Sequence, residues 1–184
     1  MKKTLKKIPL LLLILLQASF LLAIAMEQLT AIPILVFIIA ILVFLLLAYT
    51  KVPTHDAKHL KRDFLAVLFV VTGALAAFHL NINMALGPVI AAAAVGTVAS
   101  FAPTLNIKSA ILQEVPAAAY CGAFVGMSSQ QVAGNVLFIL LASIVAGLLL
   151  VFSKNIFHGF GGKLGTVAFG GVAVTYLLIF LFLG

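Results

Sequence analysis

The chain has no tryptophan, one cysteine and four acidic residues among 184, and only 8% of it is charged. Each scarcity excludes something. A single thiol, Cys121, cannot form an intramolecular disulfide. Without Trp, the aromatic belt that usually marks membrane interfaces is thin. A soluble domain is about a quarter charged and about half apolar; here 65% is apolar and the mean hydropathy is +1.32. No Ser/His/Asp, HExxH or CxxC pattern appears, so no enzyme is expected, and no cofactor. Glycine is missing from residues 1–72, and all fourteen glycines lie from Gly73 onward.

What remains is a series of apolar runs of 16 to 20 residues. In hydrocarbon only helices and closed barrels satisfy every backbone group. Barrel strands alternate apolar and polar residues over ~10-residue segments, whereas these runs are continuous. The fold class is therefore all-α: a polytopic transmembrane helix bundle. Seven spans are expected, near 8–26, 31–49, 64–80, 84–101, 110–127, 135–152 and 164–183.

The basic residues fix an orientation. Lys2, Lys3, Lys6, Lys7, Lys51, Lys58, Lys61, Arg62, Lys108, Lys154 and Lys163 all fall at the same side when the seven runs are threaded alternately. Cytosolic loops retain Lys and Arg, so the N-terminus is expected in the cytosol and the C-terminus outside. The net charge of +7 is then matched to anionic headgroups rather than to nucleic acid. Lys2–Lys7, the apolar run behind them and Ala23-Ile24-Ala25 also resemble a signal peptide with an A-x-A cleavage site. Its apolar stretch is long for a signal, and a second run follows at once. Cleavage would leave six spans with the same orientation.

The glycine boundary suggests three parts. Residues 1–49 form a Leu/Ile-rich hairpin, 50–63 a basic cytosolic loop, and 64–184 an Ala/Gly-rich unit of five spans in which small residues let backbones approach. Within that unit Val67-Leu68-Phe69 recurs as Val136-Leu137-Phe138, and Gly96-Thr97-Val98-Ala99 as Gly165-Thr166-Val167-Ala168, both 69 residues later. The paired spans run in opposite directions, as in transporters with inverted repeats. Chance is the alternative, because membrane sequences draw on few residue types.

Candidate functional residues are sparse. Glu114 is the one acid placed inside an expected span; an intramembrane carboxylate usually faces a cavity or a partner. Gln113 precedes it, and Pro116 frees a backbone carbonyl one turn earlier. The competing reading makes Glu114 a helix-start residue, where acids and Pro both fit. Tyr120 adds a polar handle. Gly122 and Gly126 form a GxxxG pair for helix contact, and Gly96 and Gly165 are further packing candidates. His79 and Asn83 stand at the outer end of span 3, where Asn81-Ile82-Asn83 is read as a tight turn. Gly87-Pro88 is read as a break in span 4 or as a helix start. His55 and His59 have metal-ligand spacing but no third ligand and basic neighbours, so no metal is expected. The Gly159–Gly165 run lacks P-loop spacing.

The segment Val115-Pro116-Ala117-Ala118-Ala119-Tyr120-Cys121-Gly122-Ala123-Phe124, with its polar turn and following Ala/Gly-rich span, resembles small uncharacterised bacterial inner-membrane proteins. It is also similar to the membrane half of threonine/serine exporters. The likeness covers about a third of the chain, and the N-terminal hairpin departs from both patterns. It implies small-molecule transport in a bacterial inner membrane and transfers no functional residue. The expected function is thus a small-solute transporter or channel, working as a homo-oligomer or with a membrane partner. The alternative is a non-transporting membrane subunit or scaffold.

Overall fold

A computed structural model describes residues 8–27, 32–50, 60–154 and 162–183. The lysines at 2–7 and at 51 and 58, the His55/His59 pair and Gly159–Gly161 lie outside them. Every regular element among the described residues is helical: α1 (Ile8–Glu27), α2 (Ile32–Thr50), α3 (Leu60–Phe78), α4 (Pro88–Ser100), α5 (Ala102–Leu105), α6 (Val115–Gly126), α7 (Gln130–Ala133), α8 (Val136–Ser153) and α9 (Lys163–Leu183). A π-helical turn, His79–Asn83, extends α3.

Among the described residues, four stretches are long and apolar enough to cross a membrane: Arg62–Asn83, Pro88–Leu105, Val136–Ser153 and Lys163–Phe182. α1 and α2, of 20 and 19 residues, are predominantly apolar. α6 is different. Its 12 residues span about 18 Å at 1.5 Å per residue, against a hydrocarbon core of about 30 Å.

The chain divides into two compact units. The first holds Met1–Ala57 with Ser153–Phe160, and in it α1 packs against α2. The second holds Lys58–Phe152 with Gly161–Gly184. At its centre is α6, which packs most extensively on α3 and also on α4 and α9. Seven of its residues are buried: Ala118, Ala119, Cys121, Gly122, Ala123, Val125 and Gly126. Five of these seven are Ala or Gly, so burial here brings main chains together rather than interlocking large side chains.

α3 and α6 run parallel. Val70 meets Gly122 near their middles, and Ala77 and Phe78 meet Gly126 further along. α4 runs antiparallel to α6: Gly96 faces Tyr120, while Ala92, four residues earlier, clusters with Ala123 and Ala77. α8 and α9 touch where Gly171 meets Ala142 and Ala146, and α8 reaches α3 where Gly147 meets Val67.

Three local expectations need correction. The tight turn at Asn81-Ile82-Asn83 is instead the π-helical turn, and the chain reverses over Met84–Gly87. The buried Asn81 explains the difference, since its Nδ2 donates to the Gly126 carbonyl at 3.4 Å and holds the segment against α6. Of the two readings of Gly87-Pro88, the helix start holds and the break does not. Gly87, at φ +80°, lies just before α4, and Pro88 occupies its first position, where the missing N–H costs nothing. The expected span from Ala110 becomes helical only at Val115; 110–114 form turns. A helix continuing through Pro116 would lose that residue's bond to the Leu112 carbonyl and clash with it.

The Asn81 contact gives a prediction. Asn81→Leu should lower stability in detergent by about 0.6–1 kcal/mol, as expected for one interhelical hydrogen bond. Asn83→Ala, at an exposed position, should leave the thermal midpoint unchanged. Equal midpoints for the two variants would mean that the Gly126 contact does not hold the π turn.

Candidate functional site

The start of α6 carries a pair of opposite charges. Glu114 immediately precedes the helix. Its Oε1 lies 4.0 Å from Nε of Arg62, in the first turn of α3, and the two side chains are 29% and 24% exposed for Arg62 and Glu114 respectively. The two helices are parallel, so their starts coincide and the opposite charges face each other. Sequence reading offers no partner for Glu114 and misses Arg62. The available signal was that Arg62 is the chain's one arginine. Arg tolerates partial burial beside a carboxylate better than Lys, because its charge is delocalised and weakly hydrated. Glu114 is therefore a charge-paired residue at a helix start, not a lone carboxylate within a span.

Around it the backbone is irregular but locally tied. The Asn106 side chain accepts from Lys108 N at 3.1 Å, and Gln113 Nε2 donates to the Ile107 carbonyl at 3.2 Å. Ser109 Oγ accepts from Leu112 N at 3.4 Å. Gln113 thus serves its own loop. Pro116 sits in the first turn of α6.

The remaining candidates lie elsewhere. Tyr120 packs on Phe124, ring centroids 4.5 Å apart and planes tilted by 50°, and its ring covers Gly96. His79 and Asn83 bond to each other, Nδ1 to Nδ2 at 2.8 Å, both exposed, at the far end of α3. Seventeen residues separate His79 from Arg62, about 25 Å along a helix. The structure therefore places the sequence candidates in two groups at opposite ends of α3, with Tyr120 between them. No cluster of three or more His, Cys, Asp or Glu that could hold a metal occurs among the described residues.

The glycines differ sharply in surroundings. A Cβ on Gly122 would collide with the Val70 carbonyl oxygen and lie 2.8 Å from Ala74 N. One on Gly126 would collide with the Ala74 carbonyl oxygen and lie 2.8 Å from Ala77 Cβ. Gly73, absent from the sequence candidates, abuts the Ala119 carbonyl in the same way. On Gly96 a Cβ would come within 2.6 Å of the Tyr120 ring; on Gly165 it would meet nothing within 4 Å. The two copies of Gly-Thr-Val-Ala thus occupy unlike environments, and Val98 is 74% exposed where Val167 is fully buried. Cys121 is buried, with Sγ 3.7 Å from the Leu164 carbonyl. No protein-family model matches this chain, and comparison with curated proteins and with solved structures finds no match.

Proposed function

We propose that the chain is a small-solute transporter or channel of a bacterial inner membrane, with seven spans, a cytosolic N-terminus and an external C-terminus. The observation that carries this reading is α6. A central, largely buried helix too short to cross the bilayer is preceded by nine residues without regular helix, Asn106–Glu114, and by a charge pair. A span that is helical over only part of its length leaves backbone groups to be satisfied by protein or by a wet path, and incompletely helical spans recur at transport sites. The parallel course of α3 and α6 agrees with two outward-going spans. The resemblance of the Val115–Phe124 segment adds weight in the same direction. The working assembly is a homo-oligomer or a complex with a membrane partner, in contact with anionic headgroups at its basic side.

A second reading, a non-transporting subunit or scaffold, is favoured by the Arg62–Glu114 pair itself. The pair already compensates the carboxylate, so neither a solute nor a coupled proton is needed to explain it. Flux separates the two. Purified protein in liposomes should accelerate osmotic re-swelling with at least one of a panel of sugars, amino acids, polyols and inorganic ions, compared with empty vesicles. Re-swelling at the empty-vesicle rate across the whole panel would move the assignment to the subunit.

A further inference from the structure

We infer that Arg62 and Glu114 form a latch that holds the start of α6 against the start of α3, on a joint whose pivot lies at Ala119–Gly122. The inference does not depend on the transport reading. It begins with the unequal construction of the α3/α6 contact. At Ala119–Gly122 the two backbones touch: Gly73 abuts the Ala119 carbonyl and Gly122 abuts the Val70 carbonyl. Gly126 continues the contact, and Asn81 fastens its far end through the Gly126 carbonyl. That half of α6 has no room to move, because any rotation drives one main chain into the other.

The other half is held differently. From Glu114 to Ala118 the helix has no such glycine contact with α3. Its chain arrives through Asn106–Glu114, where the side chains of Asn106, Ser109 and Gln113 hydrogen-bond within the loop. At this level the Arg62–Glu114 pair reaches across to α3. At 4.0 Å the charges attract without a charge-assisted hydrogen bond, which would be near 2.8 Å. Nε of Arg62 is buried and makes no hydrogen bond, so closure leaves one donor unsatisfied. That penalty offsets part of the attraction. A long, partly solvated ion pair at the end of an irregular loop is a closure that can open, whereas the glycine contact is fixed. Opening would release the first turn of α6 and the 106–114 loop together and leave 119–126 in place.

Amide hydrogen exchange on the full chain in detergent or nanodiscs tests this. Glu114→Gln and Arg62→Gln should each raise exchange about three- to tenfold at residues 112–118, with residues 122–126 unchanged. The charge-reversed double variant, R62E with E114R, should restore protection toward the original level, because it re-forms the pair in the opposite sense. That rescue separates the pair from any other contact that Glu114 makes. Unchanged exchange at 112–118 in the single variants would overturn the latch. So would an equal rise along the whole of α6, which would signal general loosening, or a double variant no better protected than the singles.

Discussion

Gly122→Ala should cost the protein more than about 2 kcal/mol, whereas Gly165→Ala should be neutral or stabilising by up to about 0.5 kcal/mol. Both are glycines in helices, and the substitution adds the same methyl group. In an unobstructed helix Ala outperforms Gly because it restricts the unfolded backbone. At Gly165 that term acts alone, since nothing lies within 4 Å of the added Cβ; its place near the helix start keeps the gain small. At Gly122 the methyl meets the Val70 carbonyl and comes within 2.8 Å of Ala74 N. Neither neighbour is a side chain that can swing aside, so α3 and α6 must separate along their contact. Lipid gives little compensation, because association here rests on close packing rather than on burial from water. Thermal unfolding in detergent should rank the variants Gly165→Ala at or above the original and Gly122→Ala far below. Leu15→Ala, at an exposed position in α1, should fall near the original. Equal midpoints for the two glycine variants would show that the backbones are further apart than this packing requires.

The same contrast shows where sequence reading succeeds and where it stops. Helical character followed from uninterrupted apolar runs, and Ala- and Gly-rich composition marked the region where backbones meet. Gly122 and Gly165 nevertheless look alike in sequence, each beside small or apolar residues. Which one faces a neighbouring main chain depends on the rotation of its helix, and an apolar helix has no polar face to reveal that rotation. The two copies of Gly-Thr-Val-Ala likewise present different faces to their neighbours. Glu114 shows a second limit. Its depth and partner depended on the parallel alignment of two helices distant in sequence, and Arg62 had been read only as an orientation signal. The start of α6 was legible in hindsight from Pro116, whose ring forbids the helix that the apolar pattern would have extended back to Ala110.

In a polytopic membrane protein whose basic residues share one side, the accessibility of each loop is all-or-none. Lys58 stands in the basic connection between α2 and α3, and Val132 stands in α7 within the uncharged connection between α6 and α8. These connections are expected on opposite faces of the bilayer, because Lys and Arg stay cytosolic during insertion while uncharged loops cross. Val132 is 43% exposed, so a cysteine there is accessible to a reagent, while the native Cys121 is buried and should remain silent. Single-cysteine additions at these two positions, probed in intact cells with a membrane-impermeant maleimide, are therefore the most direct measurement. Val132→Cys should label from outside, and Lys58→Cys should label only after the cells are permeabilised. Labelling of Lys58→Cys but not Val132→Cys in intact cells would invert the orientation, and labelling of both from outside would contradict a chain that crosses the membrane between them.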